Sequence, residues 1–342
     1  MEVVASHDPA ARVCARAAAS SNDVVVLAGG TGGAKLARGM LDVVGPERLV
    51  VIANTGDDIE IYGAHVSPDP DLVSFWLADL IDERGWGLRD DTFHVMDALR
   101  ELGVDVWFNL GDRDLAWCLE RTRMAAHESL SPTIALARLN ATIGLHARVL
   151  PMCDEPVRTW IRTAEAPMSL SFQEFMIRAR GEGAIEGVEL RGIERAQPTP
   201  QALAAIAGAR AIVIGPSNPL ASIDPILAVP GMRDALRQAR APLVAVSPIV
   251  GGEVLKGPTA AFLAFAGHEL SARGVAEHYK ELIDGIVTDE PPPAADAPGS
   301  GSASAPAEEL PRLCIDTHMP DAPARAALAA KVLAFADTLA GG

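Results

Sequence analysis

The chain has 342 residues, 49% of them apolar and 22% charged, and carries a net charge of −16. That length and apolar share support a sizeable core in one large or two moderate domains. The negative charge argues against a nucleic-acid or anionic-membrane surface, and no apolar run of about 18 residues marks a transmembrane helix.

Residues 1–21 hold Glu2 and Asp8, lack a signal-like apolar core and read as a flexible extension. A strand is expected over 24–28. It leads through Gly29-Gly30-Thr31-Gly32-Gly33 into a helix over about 34–44. Val24 to Leu27 is continuously apolar and β-branched-rich, as in a strand covered on both faces. The glycines let backbone N–H groups approach an anion at the start of the helix. Gly30, Thr31, Gly32, Gly33 and Lys35 are therefore candidates to hold a phosphate. The loop is no P-loop, because Lys35 stands between Ala34 and Leu36. Nor is it a dinucleotide fingerprint, which would need glycine where Lys35 stands.

A second strand over 49–53 ends in Asn54-Thr55-Gly56-Asp57-Asp58, and Ser67-Pro68-Asp69-Pro70-Asp71 follows. Two carboxylate-bearing loops on one sheet edge suit a hard cation such as Mg²⁺. Asp57 reads as functional. Asp71 reads as functional or as a helix cap, and Asp69 as a solvated turn residue. Trp86, between two glycines, is a candidate to line a flat ligand. A strand over 104–108 is expected to end in Asn109-Leu110-Gly111-Asp112-Arg113-Asp114.

Residues 117–200 break the strand–helix rhythm. With a helix start at 129–133 and a short strand near 147–150, they read as an inserted smaller α+β subdomain. The strand over 211–215 leads into Gly215-Pro216-Ser217-Asn218-Pro219, where Ser217 and Asn218 suit a nucleotide phosphate. Further strands are expected at 242–246, 286–289 and 313–316. Between the last two, residues 291–309 are a Pro/Ala/Ser/Gly run that reads as a flexible internal loop. The fold class is α/β. A Rossmann-like parallel sheet, with helices on both faces, is built from residues 22–116 and 201–342 and interrupted by the insert. Cys14, Cys118, Cys153 and Cys314 have no metal-binding spacing and fit a reduced, cytoplasmic protein.

These words, in this order, resemble the CofD/FbiA family, the 2-phospho-L-lactate transferases and their phosphoenolpyruvyl-transferring relatives of coenzyme F-420 biosynthesis. The matching words are the glycine loop through Lys35, Asn54–Asp58, Ser67–Asp71, Asp91-Thr92-Phe93, Leu110–Asp114, Leu150-Pro151-Met152, Gly215–Pro219 and Ser247-Pro248-Ile249. The resemblance implies an enzyme that moves a phospho-three-carbon-acid unit from a guanosine diphosphate-linked donor to the ribityl hydroxyl of the deazaflavin Fo, releasing GMP. The acid is 2-phospholactate, phosphoenolpyruvate or 3-phosphoglycerate. The resemblance also implies Mg²⁺ at Asp57 and Asp71, which are the catalytic candidates. Asp71, Asn109 and Trp86 are placed at the acceptor, with asparagine at 109 where some members carry lysine. A homodimer is expected, with no nucleic acid or membrane partner. Two other readings use the same sheet: a dinucleotide-dependent oxidoreductase and a non-catalytic nucleotide-binding regulator. Lys35, and Asn54 in place of a ribose-binding acid, weigh against the first. Asp57, Asp71, Ser217 and Asn218 weigh against the second.

Overall fold

The computed structural model describes residues 22–166, 168–290 and 310–340. The expected N-terminal extension and the 291–309 loop lie outside these residues. Seven strands form the central sheet: β1 (Asp23–Ala28), β2 (Leu49–Ala53), β3 (Arg148–Pro151), β4 (Ala209–Ile214), β5 (Leu243–Val246), β6 (Gly285–Thr288) and β7 (Arg312–Cys314). All neighbours pair parallel, in the order β3-β2-β1-β4-β5-β6-β7. This is the doubly wound Rossmann order, as expected from the alternation of strands and helices.

Each strand residue of β1 and β2 is buried, because helices cover both faces of the sheet. Val25, Leu27, Val50 and Ile52 face one core, shared with the helices Pro200–Gly208, Met232–Gln238 and Ala272–Tyr279. Val24, Val26, Leu49 and Val51 face the other, shared with Gly30–Val44, Pro68–Leu77 and Ala322–Leu339. No helix among the described residues is long and apolar enough to cross a membrane.

Two strand expectations are corrected. Residues 104–108 form no strand. Val106 and Phe108 instead pack on a small cluster beneath the hairpin 59–66, which supplies the apolar cover that a sheet would have given. The strand expected near 147–150 within the insert is β3, the edge strand beside β2. The three-stranded antiparallel sheet of residues 158–163, 170–171 and 185–191 is separate from the main sheet. It is tied to the acidic loop, since Thr159 N–H donates to the Gly56 carbonyl at 2.7 Å.

Candidate active site at the sheet crevice

In a doubly wound sheet, ligands bind where strand order reverses, outside the carboxyl ends of the strands. Here that point lies between β1 and β4. The loop after β1 is the glycine loop, and the loop after β4 is Gly215–Pro219, so the structure brings these two predicted words together. Gly29 N–H donates to Ser217 Oγ at 3.3 Å. Asn218 Oδ1 caps the next turn, accepting from Leu220 and Ala221 N–H at 3.1 Å, while its Nδ2 is buried without a partner.

The helix begins at Gly30, earlier than the sequence suggests, and two glycines carry distinct geometric demands. Gly30 has φ of 62°, a left-handed conformation that other residues adopt at a cost. At Gly32 an added Cβ would stand 2.1 Å from the Pro216 carbonyl oxygen. Gly32→Ala is therefore expected to destabilise the fold by about 1–3 kcal/mol, because backbone must move out of the way. A urea midpoint equal to that of the parent would contradict this.

The acidic loop after β2 folds onto the helix start. Gly30 N–H donates to Asp69 Oδ1 at 2.6 Å, and Asn54 Nδ2 donates to Asp69 Oδ2 at 3.0 Å. Asn54 Oδ1 in turn accepts from Gly56 N–H at 2.7 Å. The solvated-turn reading of Asp69 is thus corrected: it is 5% exposed and holds the helix N-terminus. Burial first, and then the Asp58 carboxylate, push Asp69 up to about 6 against the pull of its hydrogen bonds. Asp57 is also 5% exposed, and its Oδ1 has no hydrogen-bond partner. Burial, then the charges of Asp69 and Asp58, raise it well above the carboxylate range. Asp58 is held by Ser67 Oγ at 2.8 Å and His65 Nε2 at 2.9 Å.

Asp71 lies in the first turn of the helix Pro68–Leu77 but does not cap it. Its Oδ1 accepts from Trp117 Nε1 at 2.9 Å and from the Arg121 guanidinium, and its Oδ2 is buried and unpartnered. Trp117 and Arg121, one helical turn apart on Asp112–Glu128, had no signal in the sequence beyond that spacing. Asp71 comes together with Asp114 and Cys118, their ligand atoms lying within 4.8 Å of one another. Asp114 is pushed up to about 7, by burial first and then by the Asp71 and Asp91 carboxylates. A raised folded-state pKa means stability is lost as pH rises through about 7. Asp114→Asn is expected to lose less stability than the parent between about pH 5.5 and about pH 8. Equal losses in urea titrations at both pH values would contradict this.

The remaining candidates stand apart. Asn109 Oδ1 accepts from Arg100 at 2.7 Å on the surface. Arg113 donates to the Arg89 carbonyl at 3.0 Å. The words around them cap helices: Asp112 accepts from His94 and Val95 N–H, and Asp91 from Arg113 and Asp114 N–H. Trp86 is 49% exposed. Lys35 Nζ donates to the Met319 carbonyl at 3.3 Å.

The family model described as 2-phospho-L-lactate transferase CofD matches residues 24–308. The chain belongs to the CofD family. It is 40% identical over 268 residues to a protein of Methanosarcina mazei named 2-phospho-L-lactate transferase, covering 78% of this chain and 87% of that one. It is 42% identical over 273 residues to a phosphoenolpyruvate transferase of Kitasatospora aureofaciens, covering 78% and 84%. Among solved structures, protein BH3568 from Bacillus halodurans superposes with a TM-score of 0.51 at 20% identity, covering 80% of this chain and 82% of that one. That likeness concerns the fold alone, and it supports the Rossmann-like sheet.

Proposed function

We propose that this CofD-family chain is a transferase that moves a phospho-three-carbon-acid unit from a guanosine diphosphate-linked donor to the ribityl hydroxyl of the deazaflavin Fo, releasing GMP. The observation that carries the reading is the convergence at the strand-order reversal. The glycine loop and the Ser217 loop meet there, and Asp69, whose charge bears on the buried Asp57, accepts from Gly30 N–H at the same helix start, in a chain related to two named transferases.

Phosphoryl transfer depends on positioning and charge neutralisation more than on a covalent nucleophile. The glycine loop, with Ser217 and Asn218, would seat the donor phosphates. In the loops 54–58 and 67–71, Asp57 Oδ1 and Asp71 Oδ2 are the buried carboxylate oxygens without a partner. Such oxygens fit a hard cation, so Asp57 and Asp71 would hold Mg²⁺. When bound, Mg²⁺ would neutralise diphosphate charge. The ribityl oxygen forms the new bond to phosphorus, the bond to GMP breaks, and the hydroxyl proton passes to a carboxylate. Asp69, poised at about 6, suits that acceptance near neutral pH.

The identities to relatives named for two different acids are nearly equal, so the acid is settled by experiment. The test is incubation with Fo, Mg²⁺ and each guanosine diphosphate-linked acid, followed by mass analysis. The expected product is a phosphodiester of Fo with one acid, accompanied by GMP. Absence of any Fo adduct from all three donors would overturn the reading.

A further inference from the structure

Two histidines that the proposed reaction does not use face each other. His278 Nδ1 lies 3.2 Å from His268 Nε2, with the rings edge to face. On its other side, His278 Nε2 lies 3.0 Å from Asp224 Oδ1. Arg233 stands 3.8 Å from the same oxygen. The three residues of this chain of contacts come from separate segments. Asp224 opens the helix Asp224–Ala228, directly after the turn Pro219–Ile223. His278 lies in the last turn of the helix Ala272–Tyr279, and His268 follows the helix Thr259–Phe265.

Both rings are held in place. Gly267, at φ 74°, ends the helix Thr259–Phe265. Its N–H donates to the Ala264 carbonyl at 3.1 Å, and that of His268 to the Leu263 carbonyl at 2.9 Å. These two bonds satisfy carbonyls that the helix end leaves open, and they fix the backbone of His268. His278 is oriented through its ring. A carboxylate accepts and does not donate, so Asp224 draws the ring proton of His278 to Nε2. Nδ1 then carries a lone pair aimed at His268 Nε2. Burial first, and then the His278 ring, hold the His268 imidazole below the usual histidine range, with Glu277 and Asp224 offsetting only part of this. His268 is therefore neutral near pH 7 and also has a lone pair to offer.

Two imidazole nitrogens at this separation match the bite of one tetrahedral ion. Two Zn–N bonds of about 2.0–2.1 Å at a tetrahedral angle place the nitrogens about 3.3 Å apart. A carboxylate on the far ring nitrogen is the usual support of a metal-bound histidine. Paired imidazoles suit Zn²⁺, whereas Mg²⁺ prefers oxygen ligands. We propose that His268 and His278, oriented by Asp224, form a Zn²⁺ site separate from the carboxylates proposed for Mg²⁺. Among the described residues no third side chain completes a ligand group there, so water would fill the remaining positions. The ion would tie the segments of His268 and His278 together and, through Asp224, to the turn that follows the Ser217 loop. The site stands whether or not the proposed transfer is correct.

Calorimetry on the metal-stripped full chain, with zinc chloride as the probe, tests this. A saturable site is expected that an about tenfold excess of Mg²⁺ does not displace. His268→Gln and His278→Gln are each expected to weaken it by about a hundredfold or more, since a ligand is lost outright. Asp224→Asn, which removes the orienting charge, is expected to weaken it by about tenfold. Cys118→Ser is expected to leave it unchanged, which separates it from the group of Asp71, Asp114 and Cys118. Should His278→Gln fail to fold, His268→Gln decides. A parent that binds no Zn²⁺ would overturn the site and leave only a hydrogen-bonded histidine pair. Folded His268→Gln with an affinity within about twofold of the parent would overturn it as well. So would loss of the site in Cys118→Ser, which would place the ion at the Asp71 group instead.

Discussion

Asp57→Ala is expected to lower turnover by at least about a hundredfold while the fold survives. Asp57 is buried, its Oδ1 is unpartnered, and the charges of Asp69 and Asp58 bear on it. A carboxylate so placed costs stability when ionised, so its removal should leave the melting temperature equal or higher. A structural carboxylate would give the opposite pattern, a lower melting temperature with residual turnover. Turnover within threefold of the parent in a folded variant would remove Asp57 from the chemistry.

Arg121→Met should be among the most destabilising substitutions in the chain, at about 3–5 kcal/mol. The Arg121 guanidinium lies 4% exposed against Asp71, and it also donates to the His65 carbonyl at 3.1 Å. Methionine fills much of the volume but leaves Asp71 with a buried charge and only the Trp117 indole to meet it. The double variant Arg121→Met/Asp71→Leu should recover much of the loss, since no buried charge remains unpaired. Urea unfolding of both variants decides the matter. A single variant within about 1 kcal/mol of the parent would show that the pair is not an energetic anchor.

The sheet was legible because strands covered on both faces are continuously apolar and end in glycine or polar loops. Five of the seven strands follow from that pattern. The run 104–108 looks alike, but Val106 and Phe108 find their cover on the hairpin 59–66 and the helices His94–Glu101 and Asp112–Glu128, while Val104 stays exposed. Pattern reveals that a segment needs cover and not which element supplies it. The same limit governs the site. The glycine loop and the Ser217 loop each stand at a strand's end, so the Rossmann order brings them together. Asp69 escaped because Pro-Asp-Pro is good turn chemistry, while the hydrogen bond that buries it comes from Gly30, remote in sequence. Arg121 escaped because a lone arginine within a helix has no local mark of burial.

The exchange of carboxylates between Asp91 and Asp112 binds two helices into one unit. Asp112, in the first turn of the helix Asp112–Glu128, receives N–H groups at the start of His94–Glu101. Asp91, just ahead of His94–Glu101, receives those at the start of Asp112–Glu128. Each helix therefore supplies the other's missing first-turn acceptor, and neither start is complete while the other is frayed. The two helices are therefore expected to open and close together, which hydrogen exchange at both starts would show as equal opening free energies. Because Trp117 and Arg121 lie on the second helix, such opening would loosen the grip on Asp71.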